Sequence, residues 1–334
     1  MGVSMIQFLA DQIDQMDLAL DQLAMKDRNF DRFALMLVDN VVELTLHKHA
    51  EDKKHENDLW RNLIPPRHDP KAVSDAMGQY FDPKVKLGKQ TGMLTPELGD
   101  SLLCLHSFRN RVYHAGLRHE GILHSLGLFH FQNACSVLAN YSPATWVGDS
   151  RDQIGLRAMK YLGNARHFTS PDSFRLAWER LREVGLSLGD TLVSDLHADM
   201  ARTVCDSDEA IQFVADDSPE KKSRDQVIID CKVWSFAFTD EAKAFAAQNN
   251  FTASSELAQV LWISKNYPWP TKADPIPSWQ NRLKSLEGEK NPHLALKKYC
   301  DFMTQTEDIR AKIDESAAGL DALFQQQEDI ARGN

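Results

Sequence analysis

TPELGDSLLCLHSFRNRVYHAG, residues 95–116, is the stretch whose reading decides the fold. Thr95 is placed to cap a helix, Pro96 suits the first helical position and Glu97 sits in the first turn. Leu102, Leu103, Leu105, Phe108 and Val112 then supply an apolar face, and Gly116 supplies a stop. The spacing predicts one amphipathic helix. Its C-terminal half carries Arg109-Asn110-Arg111-Val112-Tyr113-His114.

The same periodicity extends on both sides. Residues 4–26 read as a helix capped by Ser4, with the stripe Met5, Leu9, Ile13, Met16, Leu20 and Leu23. Residues 30–50 read as a second helix with two stripes, Phe33, Leu37, Val41, Leu44 and Leu35, Val38, Val42, Leu46, as expected of a central helix buried on both sides. The run His47 to His55 reads as a charged, frayed extension of it. Pro65-Pro66 is a stop, 71–81 a short helix, and Pro83 to Thr95, with Gly88 and Gly92, a loop. Gly121 to Asn140 reads as a further helix. Tyr141 to Asp149 is the expected domain boundary, dividing a helical domain of residues 1–145 from a mainly helical region of residues 146–334.

In that second region Ser170-Pro171-Asp172 opens a helix, and Leu188, Leu192, Leu196 and Met200 mark another. Val227 to Phe238 has β-branched and aromatic content but no partner strand, and reads as a buried helix. Tyr267 to Ser278 holds four prolines and reads as irregular; Leu294 to Ile330 reads as an amphipathic helix with a possible break. The expected fold class is mostly α.

A net charge of −10 argues against a protein that coats nucleic acid through bulk electrostatics. Residues 101–130, however, hold three arginines and five histidines against one glutamate, a cationic window suited to a small anion. The five cysteines form no Cys-x-x-Cys pair, so zinc ribbons and a disulfide framework are not expected; Cys104 and Cys135 read as small core residues in a reducing cytoplasm. No apolar run is long enough to span a bilayer, and residues 1–10 lack the basic start of a signal peptide.

Arginine followed by histidine after four to six residues arises by chance roughly twice in a chain of this composition. It occurs three times, at Arg61–His68, Arg109–His114 and Arg118–His124. The first spans Pro65-Pro66 and the third crosses Gly121; only the second lies within one predicted helix, and only it has asparagine after the arginine. Asn110 and His114 are one helical turn apart and share a face, whereas Arg109 stands roughly 140° round the helix from His114. A guanidinium grips phosphate oxygens in a fork geometry, and an imidazole moves protons near neutral pH.

Arg-Asn-x-x-x-His, late in a helical stretch of this length, resembles the HEPN superfamily, over residues 1–145 only. The resemblance implies an N-terminal HEPN-like helical bundle acting as a metal-independent endoribonuclease of the toxin or antiviral-effector kind. It implies a homodimer with a composite cleft, an RNA substrate, no cofactor and no metal. It gives Arg109 the scissile phosphate, His114 the general acid–base role in attack by the RNA 2′-hydroxyl, and Asn110 the orienting of histidine or phosphate. Arg111, Tyr113, His106 and Arg118 are the expected further substrate contacts. An antitoxin, a sensor or another defence partner is expected; a membrane is not. Some members place a tyrosine two residues beyond the histidine, for control by AMP transfer; Gly116 stands there in this chain, which puts that control in doubt. A non-catalytic helical module that binds RNA, nucleotide or protein remains the alternative.

Other clusters read as structural. His47, His49 and His55 fit a solvated helix end, and no two histidines are spaced one helical turn apart as in a metal-binding pair. Arg151, Arg157, Lys160 and Arg166, interleaved with Tyr161 and Phe168, fit an ordinary helix face more readily than an RNA contact. Trp262, Trp269 and Trp279 fit packing anchors.

Overall fold

The periodic apolar stripes become helices throughout. The computed structural model describes residues 4–60, 66–114, 120–163, 170–218, 221–269 and 273–333, the side chains of 111–114 and 120 excepted. The helices are α1 (Met5–Ala24), α2 (Arg28–Trp60), α3 (Pro70–Ala76), α4 (Phe81–Gln90), α5 (Pro96–His114), α6 (Leu123–Asn140), α7 (Leu156–Leu162), α8 (Pro171–Ser187), α9 (Leu192–Asp217), α10 (Arg224–Phe236), α11 (Asp240–Gln248), α12 (Glu256–Asn266), α13 (Ile276–Glu287) and α14 (Pro292–Arg332). A 3₁₀ turn at Glu120–Ile122 precedes α6. No strand occurs among the described residues, and the protein is mostly α.

The chain divides into two units, residues 1–196 with 289–297, and residues 197–288 with 298–334. The first therefore runs well past the boundary expected near residue 145. The reason is apolar packing: Tyr161, Phe174, Trp178 and Leu181 share one core with Met5, Leu9, Ile13, Met16, Leu128 and Phe131. Polar contacts join the same helices, since Asp17 of α1 accepts from Arg157 at 2.6 Å, Lys160 at 2.9 Å and the Tyr161 hydroxyl at 2.5 Å.

Helix α2 is the spine of this unit, touching α1, α3, α4, α5 and α6. It is longer than its apolar stripes suggest. The run His47–His55 is regular helix, stabilised by Lys48–Glu51 and Lys53–Glu56 pairs one turn apart. His49, Ala50 and Asp52 are buried within it, with His49 bonded to Thr91 and Asp52 accepting from the Tyr141 hydroxyl. Of the two predicted stripes, the one through Leu35, Val38, Val42 and Leu46 is buried throughout, while Phe33 and Leu44 of the other face solvent.

Residues 83–95, expected as a loop, hold most of α4. Pro83 falls in the first turn, where no backbone N–H is required. Gly88 lies inside the helix because a Cβ there would stand 2.8 Å from the Leu94 side chain. Only Gly92, with φ +78°, behaves as the turn glycine expected. Thr95 then caps α5, its hydroxyl accepting from the Leu98 N–H at 3.2 Å.

Residues 227–236 are helical as expected, and α14 runs unbroken. Trp269 packs with Val233, Ala237, Val260 and Ile263, Phe251 stacks on Trp262, and Trp279 meets Phe302 edge-on, so the tryptophans are packing anchors. Cys135 is buried and free, whereas Cys104 is half-buried and disulfide-bonded, as is Cys300, contrary to the expectation of free core thiols. No helix among the described residues is long and apolar enough to cross a membrane.

Candidate functional site

Asp39 organises the region around the motif. It sits in the middle of α2 between Val38 and Val41 and is 0% exposed. A carboxylate so placed requires partners, because an unpaired buried charge is costly. They come from α5 and α6. His106 Nδ1 lies 3.0 and 3.1 Å from the two Asp39 oxygens. Arg109 Nε lies 3.3 Å from Asp39 Oδ2, an ion pair not aligned well enough for a hydrogen bond. His130 Nε2 lies 4.0 Å from Asp39 Oδ1.

Around this centre is a second ring of contacts. Phe81 stacks on the His106 imidazole, centroids 4.1 Å apart and planes nearly parallel. Glu43, one turn beyond Asp39, pairs with the buried Lys84 at 3.5 Å. Lys84 also donates to the carbonyls of Gly78 at 2.7 Å and Tyr80 at 3.0 Å. His130 is fully buried, and burial pulls its pKa down to about 4, so the ring is neutral at pH 7. Neither of its ring nitrogens has a hydrogen-bond partner among the described residues.

Arg109 and Asn110 are brought together, but not as the helical count suggested. Arg109 Nη1 donates to Asn110 Oδ1 at 2.8 Å, so the asparagine carbonyl holds the arginine. The Arg109 side chain is 31% exposed, half in the cluster and half towards solvent. His106, expected to contact substrate, is instead paired with Asp39 and covered by Phe81. The backbone of Arg111, Tyr113 and His114 continues α5, while their side chains, and the whole of Arg118, lie outside the described residues. Of the interleaved basic group, Arg157 and Lys160 are engaged by Asp17 and Arg151 by Asp149; Arg166 and Phe168 lie outside the described residues.

Asp39, Glu43 and Lys84 were not singled out by sequence reasoning, and His130 entered only as one of five histidines whose spacing read as structural rather than metal-binding. One signal was present: Asp39 interrupts an apolar run on a helix expected to be buried on both sides, which already implies a paired interior charge. Comparison of the chain with protein-family models, curated proteins and solved structures gives no match.

Proposed function

We propose that the chain is an endoribonuclease whose site is built on Arg109, Asn110 and His114. The observation that carries this is the state of Arg109. Its side chain is 31% exposed and its guanidinium is held at two points, by an ion pair to Asp39 at the buried Nε and by a hydrogen bond to Asn110. A guanidinium held in place loses less side-chain entropy on gripping a phosphate than a free one. In the reaction the RNA 2′-oxygen attacks the adjacent phosphorus as its proton passes to a base, the role given to His114. The bond to the 5′-oxygen breaks and that oxygen takes up a proton, leaving a 2′,3′-cyclic phosphate and a 5′-hydroxyl. Arg109 offsets the charge that builds on the phosphoryl oxygens. Completing the site calls for a second copy of the chain, so the working form is a homodimer with an N-terminal HEPN-like bundle. A cytoplasmic toxin or antiviral effector restrained by an antitoxin, sensor or other defence partner fits such an activity.

A second reading draws on the same ion pair. Arg109 pairs with a buried aspartate and His106 hydrogen-bonds to it, which is what a helix-tying cluster without catalysis would do. The two separate on incubation of the protein with total RNA in EDTA, beside His114→Ala and Arg109→Lys. Lysine keeps a positive charge near Asp39 and loses the fork. Cleavage by the wild type alone, with cyclic phosphate ends and variants that remain folded, is the expected result. Equal cleavage by all three moves the site elsewhere, and no cleavage by any leaves the scaffold reading.

A further inference from the structure

The cluster around Asp39 holds more donor atoms than its ion pairs use. Asp39 and Glu43 stand one turn apart on α2 and His106 faces them from α5; one ligand atom from each lies within 4.8 Å of the others. His130 adds a fully buried imidazole with no hydrogen-bond partner among the described residues, its Nε2 facing Asp39 Oδ1. We propose that Asp39, Glu43, His106 and His130 form a binding site for a zinc-class divalent cation.

Distances support it. Two ligands each about 2.0–2.1 Å from zinc, at a tetrahedral angle, stand about 3.3 Å from one another. His106 Nδ1 lies 3.0 and 3.1 Å from the Asp39 oxygens, so one edge of such a tetrahedron is already formed. His130 Nε2 stands 4.0 Å from Asp39 Oδ1 but outside the set whose ligand atoms all lie within 4.8 Å of one another, so its ring has to move towards Glu43 and His106 to ligate. Two imidazoles and two carboxylates suit zinc or its neighbours; magnesium and calcium favour oxygen ligands.

The surrounding groups allow the exchange. Lys84 can release Glu43 without being stranded, because the Gly78 and Tyr80 carbonyls still accept from it. Phe81 holds the His106 ring in its plane. For His106 to bind through Nδ1, a proton on that nitrogen moves to Nε2 or to water. No charge is created that the cation does not offset.

Occupancy has a consequence for the motif. The cation takes the carboxylate that faces Arg109 Nε at 3.3 Å, so metal and guanidinium compete for Asp39. The metal site stands independently of the endoribonuclease proposal, since it concerns binding alone.

The test uses the full chain in a Cys205→Ser background, which removes the exposed thiol as a competing ligand. Protein stripped by a chelator is titrated with Zn²⁺ against a chromogenic indicator, and with Co²⁺ by visible absorption. The expected result is one tight equivalent with a four-coordinate Co²⁺ spectrum, weakened at least tenfold in Glu43→Gln and in His106→Gln. Glu43 is half-exposed, and metal-free Glu43→Gln should keep the parent's circular dichroism with only a modest fall in melting temperature for loss of the Lys84 pair, which separates lost ligation from lost fold. Absence of a tight equivalent, an octahedral Co²⁺ spectrum, or affinity unchanged in Glu43→Gln would overturn the proposal. RNA cleavage enters none of these readouts.

Discussion

Removing Asp39 should cost more than removing Arg109, and removing both should cost much less than the sum. Breaking a buried ion pair typically costs about 3–5 kcal/mol, mostly for the charge left behind. In Asp39→Ala the stranded groups are the Arg109 guanidinium and the His106 imidazole, neither fully buried, with His106 18% and Arg109 31% exposed. Both can turn partly to water, so the cost falls near the lower bound, about 3 kcal/mol. In Arg109→Ala the stranded group is Asp39, which is 0% exposed but keeps His106 at 3.0 Å. Loss of one of its two close partners costs about 2 kcal/mol. In the double variant neither charge is stranded, so its cost should fall short of the roughly 5 kcal/mol sum by about 2 kcal/mol, within the usual range for contacting residues. Urea unfolding followed by circular dichroism measures the cycle, and hydrogen exchange on peptides from α2 and α5 locates the loss. Costs that add to within about 0.5 kcal/mol would refute the coupling and with it the claim that Arg109 is tethered by Asp39.

Acid should weaken the fold through its buried histidines. Burial pulls both His49 and His130 from 6.5 to about 4, so between those values the unfolded chain binds protons that the folded chain does not. Their contribution is fully present above about pH 6.5 and is lost as pH falls towards 4, at up to about 1.4 kcal/mol per pH unit for each. His49→Gln should remove one of these slopes; an unfolding free energy that falls as steeply between pH 7 and 5 in the variant would refute the assignment. Gly185→Val should destabilise by about 1–3 kcal/mol, because a Cβ at Gly185 stands 2.8 Å from the fully buried Phe131 ring. A melting temperature equal to that of the wild type would show that α8 does not pack on α6 as described. Asp39→Asn should lower stability while raising affinity for a short, non-cleavable RNA severalfold at low salt, since it removes the charge that neutralises Arg109. Weaker RNA binding by a folded Asp39→Asn would speak against phosphate at Arg109.

What was legible in the sequence followed from local rules. The caps at Ser4, Thr95 and Ser170 and the stripe of α1 depend on neighbours within a turn, and they appear where spacing puts them. What was not legible depended on distant partners. Gly88 and Pro83 signal a loop in isolation; their helix is sustained by packing against Leu94 and Leu46. Charge in the run His47–His55 suggested fraying, yet Thr91 and Tyr141 bury one face of it. The boundary near residue 145 was drawn from a turn signal, whereas the unit is defined by Phe174 and Trp178 returning to the α1 core. In the candidate site the motif spacing selected α5, but spacing within α5 says nothing of Asp39, some seventy residues earlier.

Charge shows most clearly why a linear count misleads. Residues 101–130 carry three arginines and five histidines against one glutamate. In space, His106 and Arg109 meet Asp39, His124 meets Asp31, and His130 is held neutral by burial. Among the described side chains, the acids of α2 thus meet basic groups that the window seemed to present to solvent. An anion drawn to Arg109 has to compete with Asp39 for it, and a cation at Asp39 has to displace the same guanidinium from the other side. Both proposed ligands therefore act on one bond, from opposite ends. A metal that takes Asp39 frees Arg109 for phosphate, and by linkage a phosphate that takes Arg109 favours the metal by the same factor. The Arg109–Asp39 pair holds the guanidinium in place through Nε while Asp39 offsets part of its charge, so the coupling between the two ligands runs through that one carboxylate.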